Sequence, residues 1–277
     1  MCACIVLALL LGSILTGSDV KEAESISEVM KDAVLHTNAR CSLFGIKEVN
    51  PGLIGAYVVS AMLIIFALVC RIFVIPKFTI IPGNFQLLLE ELVGLFVNIA
   101  KGNSPHRNRF LGVYVFSAGV YIFASTIFEM LGVQWVTTTG ESVSLPAPLG
   151  DINGAIGLGL MSYLVILIGG LVGGGLRGFG NALKDFSLPI SMSFRLFGAL
   201  LSGALVTELV YYYASLSYVL PVIVGVLFTL IHALIQAYVL VTLVSTFYGE
   251  STEPHEKKKK NKQLNVKNAA QPLNKEI

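Results

Sequence analysis

The stretch "PGLIGAYVVSAMLIIFALVCRIFVI" occupies Pro51–Ile75 and holds a single charged residue, Arg71. About 20 predominantly apolar residues suffice for a helix to cross the roughly 30 Å hydrocarbon core of a bilayer. Four more runs of this kind follow, at about Phe110–Leu131, Gly154–Leu176, Pro189–Tyr213 and Tyr218–Tyr248. The chain of 277 residues is 55% hydrophobic and 13% charged, whereas about a quarter of a soluble domain is charged. In lipid every backbone N–H and C=O must find its partner within the spanning element, which makes the helix the building unit here. The fold class is therefore all-α: a polytopic membrane protein with five transmembrane helices.

Working outward from that span, "PGNFQLLLEELVGLFVNIAKG" (Pro82–Gly102) begins behind a Pro-Gly pair and is interrupted by Gln86, Glu90, Glu91 and Asn98. This pattern predicts an interfacial amphipathic helix. The fifth run has roughly thirty residues and as a helix would reach about 45 Å, well beyond about 30 Å of hydrocarbon. It must tilt or bend, and with the fourth it forms a long tilted hairpin. Residues 1–17 are apolar to about Thr16 without a basic flank, and read as a signal peptide or a short extra helix. Residues 18–50 form a polar extracytoplasmic segment carrying Asp19, Glu22, Glu24, Glu28, Asp32 and Glu48. Residues 51–250 make the membrane domain, and 251–277 a cytoplasmic lysine-rich tail around Lys257–Lys260.

Loop charges orient the chain, because Lys and Arg gather on the cytoplasmic side. Arg71 and Lys77 follow the first span, and Lys101, Arg107 and Arg109 precede the second. Arg177 and Lys184 lie between the third and fourth. The opposite loops, Glu129 to Asp151 and Tyr213 to Leu220, contain no Lys or Arg. Five crossings with the N-terminus outside and the C-terminus cytoplasmic satisfy every loop. Cys2, Cys4, Cys41 and Cys70 show no metal-ligand spacing, and the chain has no phosphate loop, zinc pattern or nucleophile elbow. No catalytic residue, cofactor, metal or nucleic-acid partner is expected.

The fourth span begins "SLPISMSFRLFG" (Ser187–Gly198) and sets Arg195 inside apolar sequence. An arginine keeps its charge at any ordinary pH, and within a membrane it needs an aqueous or protein partner. Snorkelling to the headgroups would answer for it if it stood alone. The same span, however, carries Ser191, Ser193, Ser202, Thr207 and Glu208, and the next carries Thr229, His232, Gln236 and Thr242. At about 100° per residue, Ser191, Arg195, Gly198, Ala199 and Ser202 share one stripe, small apart from the arginine, which another helix can approach closely. Glu208 falls on a different face. Most of the serines and threonines are read as bonding to their own helix carbonyls, and the glycines of "GGLVGGGLRGFG" (Gly169–Gly180) as packing.

"PISMSFRLFG" (Pro189–Gly198) followed by "LIQAYVLVTLVSTFYGE" (Leu234–Glu250) resembles the subunit a family of the F-type ATP synthase. The upstream segments "STIFEMLG" (Ser125–Gly132) and "PLGDIN" (Pro148–Asn153) are similar to that family's segments in the same order. The resemblance implies a non-catalytic stator that forms two offset proton half-channels against a rotating c ring, so that proton flow drives rotation and ATP synthesis. It implies that Arg195 is the counter-charge to the ring's ionised carboxyl, with Gln236 beside it. The stripe Ser191, Gly198, Ala199 and Ser202 would face the ring. Glu208 would serve the outer half-channel, with His232 deeper along it and Glu129 as a further outer acid.

Implied partners are the c-subunit ring, a b-type peripheral stalk, the remaining synthase subunits and the lipid bilayer. The coupling ion is the proton, with sodium as the alternative, and the location a bacterial plasma membrane. The chain departs from the family pattern at Ala199, where many members carry Asn, and at Ala204, where many carry Glu; here a glutamate comes a turn later, as Glu208. Thr229 stands where the family places His or Glu, with His232 three residues on. Two other functions compete. A self-contained transporter would show an inverted repeat, and a membrane-embedded transferase would gather its acids or histidines at one face; neither pattern is found.

Overall fold

The structure is a computed structural model and describes residues 41–43, 46–106, 108–136, 142–212 and 220–253. The expected signal peptide or extra helix, most of the segment 18–50 and the lysine tail lie outside the described residues. Strands β1 (Cys41–Leu43) and β2 (Ile46–Val49) form a short antiparallel hairpin before helix α1 (Pro51–Val69). Helices α2 (Asn84–Asn103) and α3 (Arg109–Met130) follow. A second hairpin pairs β3 (Gln134–Val136) with β4 (Ser142–Ser144), Trp135 opposite Val143. Helices α4 (Ile152–Lys184), α5 (Ser187–Tyr212) and α6 (Leu220–Thr252) complete the described chain.

Five helical stretches are long and apolar enough to cross a membrane: Pro51–Lys77, Arg109–Met130, Ile152–Lys184, Ser187–Val206 and Thr229–Thr252. Helix α2 is not among them. It buries only Phe96 and Ala100 and leaves Glu90 and Glu91 exposed, as the interfacial reading requires. The first span outlasts α1 through one wide turn over Cys70–Val74 and a tight turn over Ile75–Lys77. Pro76 explains the change of pitch, since proline lacks an N–H and crowds the turn before it.

The described residues fall into two compact units. The first comprises the described parts of Met1–Thr79, Val120–Leu158 and Ser191–Tyr238. Its core is Val49, Ile54, Val59, Phe128 and Leu145, with Tyr121, Ala124 and Val133 packed around them. Asn50 caps α1 by accepting the Gly52 N–H at 2.9 Å, and its side-chain amide donates to the Asp151 carboxylate. The other oxygen of Asp151 accepts the Asn153 N–H at 2.9 Å and so caps α4. Each cap satisfies a helix-end donor that would otherwise be orphaned. One shared carboxylate thus ties the starts of the first and third spans to one level, as alternating crossings demand.

The second unit comprises the described parts of Ile80–Gly119, Gly159–Ile190 and Val239–Ile277. Phe96 meets Phe116 edge to face, centroids 5.7 Å apart, and lies over Gly119. The glycine-rich stretch of α4 packs as expected: Tyr248 lies over Gly169, Thr252 against Gly173, and Ser251 against Gly178.

The third span, expected at about Gly154–Leu176, ends in a reversal of the chain. Gly175 adopts φ 61° and ψ −150°, a conformation essentially reserved for glycine. The Tyr163 hydroxyl donates to the Leu183 carbonyl at 3.4 Å, although 20 residues of unbroken helix would separate them by about 30 Å. Gly170 and Gly178 come into backbone contact. The chain therefore doubles back at Gly175. Residues 152–174 form a spanning arm, and residues 176–184 a return arm of about 13 Å, too short to cross.

Candidate functional site

Pro189 sits in the first turn of α5, where its missing N–H leaves no helix bond unmade. From there α5 is two-faced. Leu188, Met192, Leu196 and Leu200, four residues apart, are buried. On another side Ser191, Phe194, Arg195, Gly198 and Ser202 are exposed, Phe194 to 64%, and Ala199 is half-buried at the margin. A Cβ added at Gly198 would meet nothing within 4 Å. The stripe expected from periodicity is thus largely exposed among the described residues. The Ser202 hydroxyl donates to the Ala199 carbonyl at 2.8 Å and is thereby satisfied within its own helix.

Arg195 has no carboxylate partner among the described residues. Its surroundings on α5 are apolar, with Ile190 and Phe194 both exposed. On α6, Ala233, Ala237 and Leu240 are buried, while Ile231, Leu234, Ile235 and Tyr238 are exposed. Thr229, His232 and Gln236 are half-buried at the boundary between those faces. Glu208 belongs to α5, but its side chain lies outside the described residues. The structure therefore presents Arg195 and its stripe as one exposed surface and Gln236 and His232 as the polar edge of another helix.

Glu129 is half-buried in the last turn of α3, next to Phe128 of the first unit's core. The same face of α3 carries Ser125 and Tyr121, four and eight residues earlier. The Tyr121 hydroxyl lies within reach of Ser125 and of Ser60 on α1. Sequence reading passed over Ser60, Tyr121 and Ser125. The i, i+4, i+8 spacing of Tyr121, Ser125 and Glu129 was the signal available. Outside the spans, burial and the neighbouring Glu250 push the Asp185 carboxyl above its usual range, against the pull of Lys184. No group of His, Cys, Asp and Glu among the described residues could hold a metal ion.

The chain matches the family model described as "ATP synthase A chain" over residues 56–249. That match begins inside α1, takes in all the later spans and ends three residues before α6 does. It covers more than two thirds of the chain, including Arg195 on its exposed stripe and Gln236. This integral, multi-pass membrane protein, with its role in ATP synthesis and proton transport, belongs to the ATP synthase A chain family.

Proposed function

We propose that the chain is the membrane stator against which a rotating ring of small, carboxyl-bearing subunits turns, with two offset proton half-channels meeting at Arg195. The observation that carries this is the exposed Arg195 stripe. A permanent cation stands beside exposed Ile190 and Phe194, on a stripe otherwise made of Ser191, Gly198, Ala199 and Ser202, and pairs with no acid among the described side chains. Burying that charge in lipid would cost from about 2.5 to more than about 10 kcal/mol. A ring carboxylate supplies what is missing: ionised it faces the guanidinium, protonated it is neutral and turns into lipid. The guanidinium also bars a proton from passing straight from one half-channel to the other, so protons must ride the ring.

In this reading Ser191, Gly198, Ala199 and Ser202 let the ring helices approach α5, and Gln236 lies beside Arg195. Glu208 and Glu129 serve the outer half-channel and His232 continues it inward. The chain itself is non-catalytic and couples proton flow to ATP synthesis elsewhere in the complex. Its partners are the c ring, a b-type stalk and the remaining synthase subunits. The loop charges support a bacterial plasma-membrane orientation with the N-terminus outside and the C-terminus cytoplasmic.

The test is Arg195→Ala in the assembled complex, with ATP-driven proton pumping and passive proton leak measured in the same vesicles. Coupled pumping is expected to vanish and the leak to rise. Pumping at the parental rate would overturn the proposal.

A further inference from the structure

Three neighbours on α3 carry hydroxyls, and two of them behave as membrane hydroxyls usually do. Ser117 donates to the Val113 carbonyl at 2.9 Å and Thr126 to the Ile122 carbonyl at 2.8 Å, each bond satisfying the side chain within its own helix. Ser125 does not. Its Oγ is wholly buried and meets no partner in hydrogen-bonding geometry among the described residues. A buried hydroxyl left unsatisfied is costly, and a buried polar group of this kind is ordinarily met by water.

What surrounds Ser125 is suited to holding water. One turn before it on the same face is Tyr121, half-buried, whose hydroxyl lies among Ser125 and Ser60 of α1. One turn after it is the half-buried carboxyl of Glu129. Ser125 and Glu129 are about 6 Å apart along the helix, a distance that one intervening water can bridge. Apolar side chains enclose the series: Val59, Phe128 and Leu145 are almost completely buried beside it. All of these residues belong to the first unit.

We propose that Ser60, Tyr121, Ser125 and Glu129 line a water-holding seam between α1 and α3, and that protons reach the outer half-channel along it. The inference rests on the stator reading above and adds the route and three residues to it. A proton from the outer water is taken up by the Glu129 carboxylate and passed to water held at Ser125 and Tyr121. Only O–H bonds are made and broken, and no other reactant is required. Tyr121 is a positioning residue here, orienting the water from its place between two serines.

The test uses the whole synthase with Cys2, Cys4, Cys41 and Cys70 replaced by alanine, and a single cysteine introduced as Ser60→Cys, Ser125→Cys or, as the dry control, Val59→Cys. Each complex is treated with silver ion in detergent, freed of excess and reconstituted into liposomes for ATP-driven pumping. Silver reacts with the thiolate, which forms beside water and is suppressed in apolar surroundings. Inhibition of the Ser60→Cys and Ser125→Cys complexes is expected at silver concentrations about tenfold or more below that for Val59→Cys. Equal sensitivity of all three would overturn the seam.

Tyr121→Phe keeps the ring and removes the hydroxyl, so it separates water positioning from packing. Its pumping rate per assembled complex is expected to fall about threefold or more, and an unchanged rate also counts against the seam. Arg195→Ala in the same background tests the stator reading separately. If it abolishes pumping while the seam variants fail their tests, only the seam is lost.

Discussion

Replacing Gly198 by leucine should separate folding from coupling. Among the described residues nothing lies within 4 Å of a Cβ built at Gly198, so the new side chain starts out into open space. Taking glycine out of a helix interior should even stabilise α5 by about 0.5–1 kcal/mol. The effect should appear only where a second helix is meant to approach. A leucine there holds the partner off by a few ångströms. If the gap between the Arg195 guanidinium and a ring carboxylate widens from about 4 to about 7 Å, at an effective dielectric constant of about 20, their attraction drops from about 4.2 to about 2.4 kcal/mol. The loss of about 1.8 kcal/mol corresponds to roughly a twentyfold shift in the population of the ionised, engaged carboxylate.

The assay is quenching of a pH-sensitive dye by ATP-driven acidification of vesicles, normalised to the amount of complex carrying the chain. Pumping should drop by about an order of magnitude while the thermal stability of the isolated chain in detergent is unchanged or higher. Pumping at the parental rate would show that the Gly198 face meets no close partner. A destabilised chain would show that Gly198 is an internal packing residue, and either result refutes the reasoning.

Glu208→Leu should lower pumping about tenfold or more by removing a proton-relay group, measured in the same vesicles; an unchanged rate removes Glu208 from the outer half-channel. Gly175→Ala forces a methyl-bearing residue to adopt φ 61° and should destabilise the chain by about 1–3 kcal/mol, seen as a lower melting temperature in detergent. Asp151→Ala removes the shared carboxylate and should cost about 1–2 kcal/mol for the lost cap on α4, with Asp151→Asn retaining most of that stability. Asp185→Asn should raise the melting temperature at neutral pH. A carboxyl whose pKa is raised by folding disfavours the folded state once ionised. The gain should therefore be full above the raised pKa and fade as pH falls toward the ordinary value of 3.8; a pH-independent gain would contradict the cause given for the shift.

The five crossings could be read from the sequence because each depends on a local property, the length of an apolar run, which the bilayer tests segment by segment. The Arg195 stripe could be read for the same reason, since helical periodicity alone sets which neighbours share its face. The turn at Gly175 could not. The stretch Gly169–Gly180 holds seven glycines, any of which tolerates positive φ, and only the meeting of Tyr163 with Leu183 distinguishes the one that does. Ser125 was hidden in another way. A serine in a spanning helix is ordinarily satisfied by its own backbone, and only the approach of α1, carrying Ser60, makes this one stand out. The bond between Asn50 and Asp151 joins residues 101 apart, beyond the reach of any local pattern.

The return arm after Gly175 also decides where the next helix sets out. The Phe186 ring lies edge to face with Tyr163, centroids 6.4 Å apart, and Tyr163 stands about 18 Å back from the reversal. Helix α5 is therefore launched from partway up the preceding rod. With 26 residues it measures about 39 Å, more than the thickness left to it in a film of about 30 Å. A rod longer than the film is accommodated by tilting or by projecting beyond it.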